Sequence, residues 1–165
     1  MDLSVVSFGK LKTAGLRDAA DHYIRGVKTW ASFEEIELKP QSVPDKSAST
    51  RTRIQGIEGQ ELLARCAKLP KSGRPLILLD EGGKALPTLD WAKQLKEFEN
   101  ENGGAIFVVG SSLGFSGEVR ARARARWSLG PQTLPHELAR VVLLEQLFRA
   151  MSVLKGHPYH NEGSG

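Results

Sequence analysis

Three stretches of this chain carry residue types whose spacing could do chemistry. The first is GHPYH, residues 156–160, where His157 and His160 lie three apart on either side of Pro158 and Tyr159. Two imidazoles at that spacing suit a metal ion, or a proton acceptor beside an aromatic ring that orients a substrate. A metal needs further ligands. The chain has one cysteine, Cys66, and no second close Cys or His pair, and Pro158 breaks the helix that would fix the spacing. No metal is expected. The second stretch is GSSLG, residues 110–114, which matches G-x-S-x-G and would make Ser112 the nucleophile of a serine hydrolase, with His136, His157 or His160 as its base. The pattern is short and frequent, so this is the alternative reading. The third is RARARAR, with Arg120, Arg122, Arg124 and Arg126 at alternating positions. It reads as a solvated helix face over packed alanines, or as a contact for RNA phosphates. Few aromatics interleave it, so it is no stacking platform for single strands.

Alternating strands and helices must position these residues. LSVVSF (3–8) is apolar and β-branched, a strand. A helix is expected over about 13–28, with Leu16, Ala19, Ala20, Tyr23, Ile24 and Val27 spaced by three and four. ASFEEIEL suits a second strand, and KPQSVPDKSAST a surface loop. A helix over about 51–67 follows. PLILLDEGGK reads as a buried strand ending in a glycine turn, and Thr88 as the N-cap of the next helix. GGAIFVVGSSLG is another buried strand entering a glycine loop. SGEVRARARAR reads as a helix with Ser116 at its cap, and WSLG as a short strand. The last helix is expected over about 135–155, with Pro135 in its first turn and Gly156 at its stop. This is a single α/β domain over 1–165 with a mostly parallel sheet flanked by helices.

In such sheets ligands bind beyond the carboxyl ends of the strands. Three of those ends are special: LLDEGGK, VVGSSLG and WSLGPQTLPH. Their glycines let backbone approach a ligand closely. The pocket they suggest is nucleotide-like but follows no standard fingerprint, because neither G-x-G-x-x-G nor G-K-[ST] is present.

The bulk numbers are ordinary. The chain has 165 residues, is 40% hydrophobic and 25% charged, and carries a formal net charge of +4. The excess is compatible with nucleic-acid binding. No run is long enough to span a bilayer, MDLSVVSFGK lacks the features of a signal peptide, and the lone cysteine fits a reducing cytosol. VVLLEQLFRAM is apolar almost all round, and such a helix is deeply buried or shared with a second subunit. A terminal helix is hard to bury in a small domain, so a homodimer is expected.

VSFGKLK, Glu58-Gly59, LLDEGGK, FVVGSSLG and above all TLPHELARVVLLEQLFRAMSVLKGHPYH together give the chain a resemblance to a known family, over nearly its full length. It resembles the ribosomal RNA large-subunit methyltransferase H family, bacterial enzymes that methylate N3 of a pseudouridine in 23S ribosomal RNA. The resemblance implies a SPOUT α/β fold with a C-terminal trefoil knot, the knot over about 76–155 and a substrate tail over 156–165. It implies a homodimer that uses S-adenosyl-L-methionine and acts on ribosomal RNA in the assembled ribosome, with no membrane. Leu79, Gly110 and the run Leu129, Gly130, Pro131, Gln132, Thr133 and Leu134 match the family's cofactor positions. The family usually has two glycines where this chain has Gly110-Ser111. The tail matches the part that meets the target base, which makes His160 and Tyr159 the expected catalytic pair. Arg140 and His136 are second choices for orienting substrate, with Glu137 or Glu145 as the alternative partner of Arg140. A non-catalytic RNA-binding dimer is the third reading.

Overall fold

The computed structural model describes residues 1–71 and 73–161; the rest of the expected tail, 162–165, lies outside them. Ten elements alternate: β1 (Asp2–Phe8), α1 (Leu16–Lys28), β2 (Ser32–Leu38), α2 (Ala48–Ala67), β3 (Leu76–Ala85), α3 (Thr88–Asn102), β4 (Gly104–Val109), α4 (Gly117–Arg122), β5 (Ala125–Ser128) and α5 (His136–Leu154). The strands form one sheet in the order β2-β1-β4-β3-β5, and every pairing is parallel. Parallel neighbours need long crossovers, and the helices supply them.

Side chains alternate across the sheet with period two. Leu3 and Val5 of β1, Ile77 of β3 and Phe107 and Val109 of β4 face one layer, made of α1, α3 and α5. Val6, Phe8, Leu76, Leu78, Ile106 and Val108 face the other, where Leu62 of α2 and Val119 of α4 cover them. Both faces are buried, so the central strands read as solid apolar runs.

Helix α5 lies between α1 and α3. Leu143, Leu144, Leu147, Ala150 and Met151 have no exposed surface. Full burial of each leucine is worth ~1.5–3 kcal/mol. One chain buries this row of α5, because two long helices flank it and the sheet lies beneath, while Leu138 stays exposed and Val142, Phe148, Val153 and Leu154 stay partly exposed. Gly156, at φ 65°, ends it, and the His157 N–H reaches back to the Ser152 carbonyl at 2.9 Å.

Four local expectations also change. The β3 strand continues through its glycine pair to Ala85 and pairs again with β5 after a register shift between Leu79 and Lys84. Gly83 permits this, since a Cβ there would stand 2.6 Å from the Arg126 carbonyl carbon. The arginine run is split: α4 stops at Arg122, Ala123 is extended, and Arg126 belongs to β5. Helix α2 starts at Ala48, with the Ser47 hydroxyl accepting from the Thr50 N–H. Thr88 is not a cap; Pro87 holds that position and the Thr88 hydroxyl bonds Gln146 of α5 instead. Ser116 does cap α4, accepting from Val119.

Candidate functional site

At the carboxyl end of the sheet, three loops enclose a cavity of about 710 Å³. That lies in the range of small-molecule sites. Leu79 enters from β3, Gly110 from the end of β4, and Leu129, Gly130, Gln132, Thr133 and Leu134 from the β5–α5 connection. Seven of the eight expected cofactor residues thus line one space. Pro131 belongs to the same loop but does not line it. Asp80, Phe115, Arg51 and Gln55 complete much of the wall.

The walls combine apolar side chains with backbone. Leu79, Val109, Phe115, Leu129 and Leu134 offer surface for a flat ring or a thioether chain. The N–H groups of Gln132, Thr133 and Leu134 make no hydrogen bond among the described residues. They are open donors of the kind that hold a ligand's polar edges. Gly110 must be small: a Cβ would stand 2.9 Å from Cζ of the buried Phe115 ring. Charge is concentrated at one edge. The Asp80 carboxylate takes Arg120 at 3.1 Å and Arg126 at 3.2 Å, and the Thr133 hydroxyl donates to Glu81 at 3.1 Å. The split of the arginine run makes this pairing, because α4 and β5 each bring one guanidinium to Asp80.

Ser112 lines the cavity but is no nucleophile elbow. Among the described residues its hydroxyl meets no histidine, and Lys71 is the one non-glycine residue with positive φ. The strained backbone that exposes such a serine is absent there. His136 lines the cavity from the start of α5.

Arg140 does not line the cavity. It is 2% exposed and turns toward β2, with Nη2 on Glu37 at 2.7 Å, Nη1 donating to the Gly9 carbonyl at 3.3 Å and Nε 3.6 Å from Glu35. Its partners are neither Glu137 nor Glu145. Glu137 accepts from the Thr13 N–H and hydroxyl, each at 2.9 Å, and these bonds hold its carboxyl below the usual range. Glu145 pairs with Arg149.

The tail folds back along α5. Tyr159 packs on Phe148, with centroids 4.5 Å apart, under the Arg149 guanidinium, and its hydroxyl donates to Glu145 at 3.1 Å. Burial, then the Glu145 carboxylate, push its phenol up to about 12. His160 Nδ1 lies 3.4 Å from Arg149, while His157 packs on Trp30. The two histidines thus have separate surroundings. Ala139 of α5 lines the cavity; from it to Glu145, which Tyr159 meets, is ~9 Å of helical rise and to Arg149, which His160 meets, ~15 Å. The described tail residues do not line the cavity of their own chain.

A family model described as "Predicted SPOUT methyltransferase" matches residues 1–160. The chain belongs to the SPOUT methyltransferase family. Curated relatives agree. "Ribosomal RNA large subunit methyltransferase H" of Streptococcus pneumoniae strain CGSP14 is 39% identical over 162 residues, which are 97% of this chain and 99% of the relative. The proteins of the same name from strains 70585 and D39 match to the same degree. Membership makes the strand-end cavity the place to seek a methyl donor, and removes the support for the hydrolase reading. Sequence reasoning missed Arg51 and Gln55, which reach the cavity from α2. No local signal marks them, since the loop they meet lies about sixty residues away. No helix among the described residues is long and apolar enough to cross a membrane.

Proposed function

We propose that the protein transfers a methyl group from S-adenosylmethionine to N3 of a pseudouridine in large-subunit ribosomal RNA, as a homodimer acting on the assembled ribosome. The observation that carries this reading is the cavity, in which three strand-end loops converge with open backbone donors. The cofactor supplies an activated methyl group; the protein holds, orients and removes a proton. Leu79, Leu129 and Leu134 suit its apolar parts, and the donors of 132–134 its polar edges. Arg51, Glu81 and the Asp80–Arg120 ion pair all line the cavity, so it offers both signs of charge to a ligand that carries both. Residues 76–155 form the cofactor-binding part on this reading.

The target nitrogen must lose a proton as its new N–C bond forms. Tyr159 is not the acceptor, because its phenol keeps its proton up to about 12. It stays neutral, and its packing on Phe148 and Arg149 and its bond to Glu145 fix the tail that carries His160. His160 is the acceptor, since an imidazole ring nitrogen can take a proton from the target base. The described tail residues do not line their own chain's cavity, and on this reading the tail serves the cavity of a second subunit. This supports the dimer beside the partly exposed apolar residues of α5. Arg140 acts by holding the ends of β1 and β2, and so the seat of His136.

Calorimetry with S-adenosylmethionine tests the cofactor. Saturable binding supports the proposal, and its absence at high protein concentration overturns it. Methylation of ribosomes lacking the modification, compared with free ribosomal RNA, tests the substrate. Binding without methyl transfer to either would favour the non-catalytic RNA-binding dimer.

A further inference from the structure

Glu58 is a buried acid that the proposed chemistry does not use. It sits on α2 and is 4% exposed. Among the described residues it forms no ion pair with a lysine, arginine or histidine. A buried carboxylate without a cation must be satisfied by hydrogen bonds. Its two oxygens are divided between two loops: Oε1 accepts from the Ser111 hydroxyl at 2.7 Å, and Oε2 from the Gln41 N–H at 3.1 Å. Ser111 Oγ in turn accepts from the Leu113 N–H at 3.3 Å. The Leu113 carbonyl is gripped from the same helix, by Gln55 Nε2 at 2.5 Å and Arg51 Nη2 at 3.2 Å. Arg51, Gln55 and Glu58 are four and three residues apart, so they share one face of α2. Gly59 lets that face come close: a Cβ there would stand 2.6 Å from Ser116 Oγ, on the far side of the same loop.

We propose that Glu58 and Ser111 form a latch through which α2 positions the cavity loop 110–114, and that ligand affinity in the cavity depends on it. Both are positioning residues: Glu58 does not line the cavity, and Ser111 lines it but gives its hydroxyl proton to Glu58. The latch converts a glycine-rich turn, which would otherwise lose much freedom on binding, into a loop already ordered. The affinity claim rests on the reading of the cavity as the S-adenosylmethionine site. The ordering claim does not.

The test uses the isosteric pair Ser111→Thr and Ser111→Val, which differ in the hydroxyl. In the ligand-free protein, hydrogen exchange at the Leu113 and Gly114 amides should match wild type in S111T and speed up in S111V. Unchanged exchange in S111V overturns the latch. With S-adenosylmethionine, S111V should bind about 10- to 100-fold more weakly, the range of one hydrogen bond to a charged group, while S111T keeps wild-type affinity. Equal losses in both indicate crowding and overturn the proposal. Adding Glu58→Gln to S111V should cost little more than S111V alone, whereas fully additive losses overturn the pairing. Failure of the wild-type protein to bind S-adenosylmethionine overturns the cofactor reading and the affinity claim, and the exchange comparison then decides the ordering claim.

Discussion

Replacing Arg140 with methionine separates a residue that holds the fold from one that touches substrate. Methionine keeps most of the aliphatic volume and removes the charge. Glu37 then loses a 2.7 Å ion pair, and the Gly9 carbonyl loses a donor. Removing one partner of a buried pair costs ~3–5 kcal/mol. Two facts lower the figure here. The Glu37 side chain is 32% exposed, and Glu35 keeps Arg17 at 2.9 Å. A loss of about 2–3 kcal/mol follows. With unfolding entropy near 2.1 cal/mol/K per residue over a chain of this length, that is a fall in Tm of about 6–9 °C. Calorimetric melting measures it. Adding Glu37→Gln removes the stranded charge and should recover part of the loss, which a single-site effect would not allow. Below its melting range R140M should bind S-adenosylmethionine nearly as wild type does. A variant that melts at the wild-type temperature yet has lost methyl transfer would refute the assignment and return Arg140 to the substrate.

Three further outcomes are expected. Gly110→Ala pushes a methyl group to 2.9 Å from the Phe115 ring, so it should cost ~1–3 kcal/mol of stability and weaken S-adenosylmethionine binding; an unchanged dissociation constant in calorimetry would contradict the cavity assignment. Deletion from Tyr159 onward should spare cofactor binding and dimerisation, the latter read by analytical ultracentrifugation, and abolish methylation of ribosomes. Retained methylation removes the tail from the mechanism. Burial pushes the Cys66 thiol up to about 11, so the folded protein holds this proton more tightly than the unfolded chain. Its contribution to stability is full below the ordinary thiol value and is lost as pH rises toward 11. Alkylation of Cys66 at pH 8 should be slow until the protein unfolds, and rapid labelling of the native state would contradict its burial.

The layers of the fold were legible because they follow local periodicity. Solid apolar runs marked β1, β3 and β4, and three-and-four spacing marked α1. What was lost depends on contacts distant in sequence. Nothing local shows that Thr88 turns to Gln146, or that the arginine run breaks at Ala123 so that two guanidiniums reach Asp80. The cavity residues were legible through strand-end glycines and through family resemblance together. The surroundings of Arg140 were not, because Glu37 lies 103 residues away. The tail was legible as chemistry but not as a place: its packing on Phe148 and Arg149, away from its own cavity, belongs to tertiary structure.

The position of α5 also bears on how the chain is made. This helix fills the slot between α1 and α3 over the sheet, yet it is the tenth element to emerge during synthesis. Until it arrives, the layer containing Leu3, Val5, Phe107 and Val109 is covered by α1 and α3 alone, with the slot between them empty. A nascent chain halted near residue 135 therefore carries an apolar slot, and a sheet whose parallel pairings are all non-local and slow to form. Such a chain offers a chaperone the apolar slot that α5 later fills.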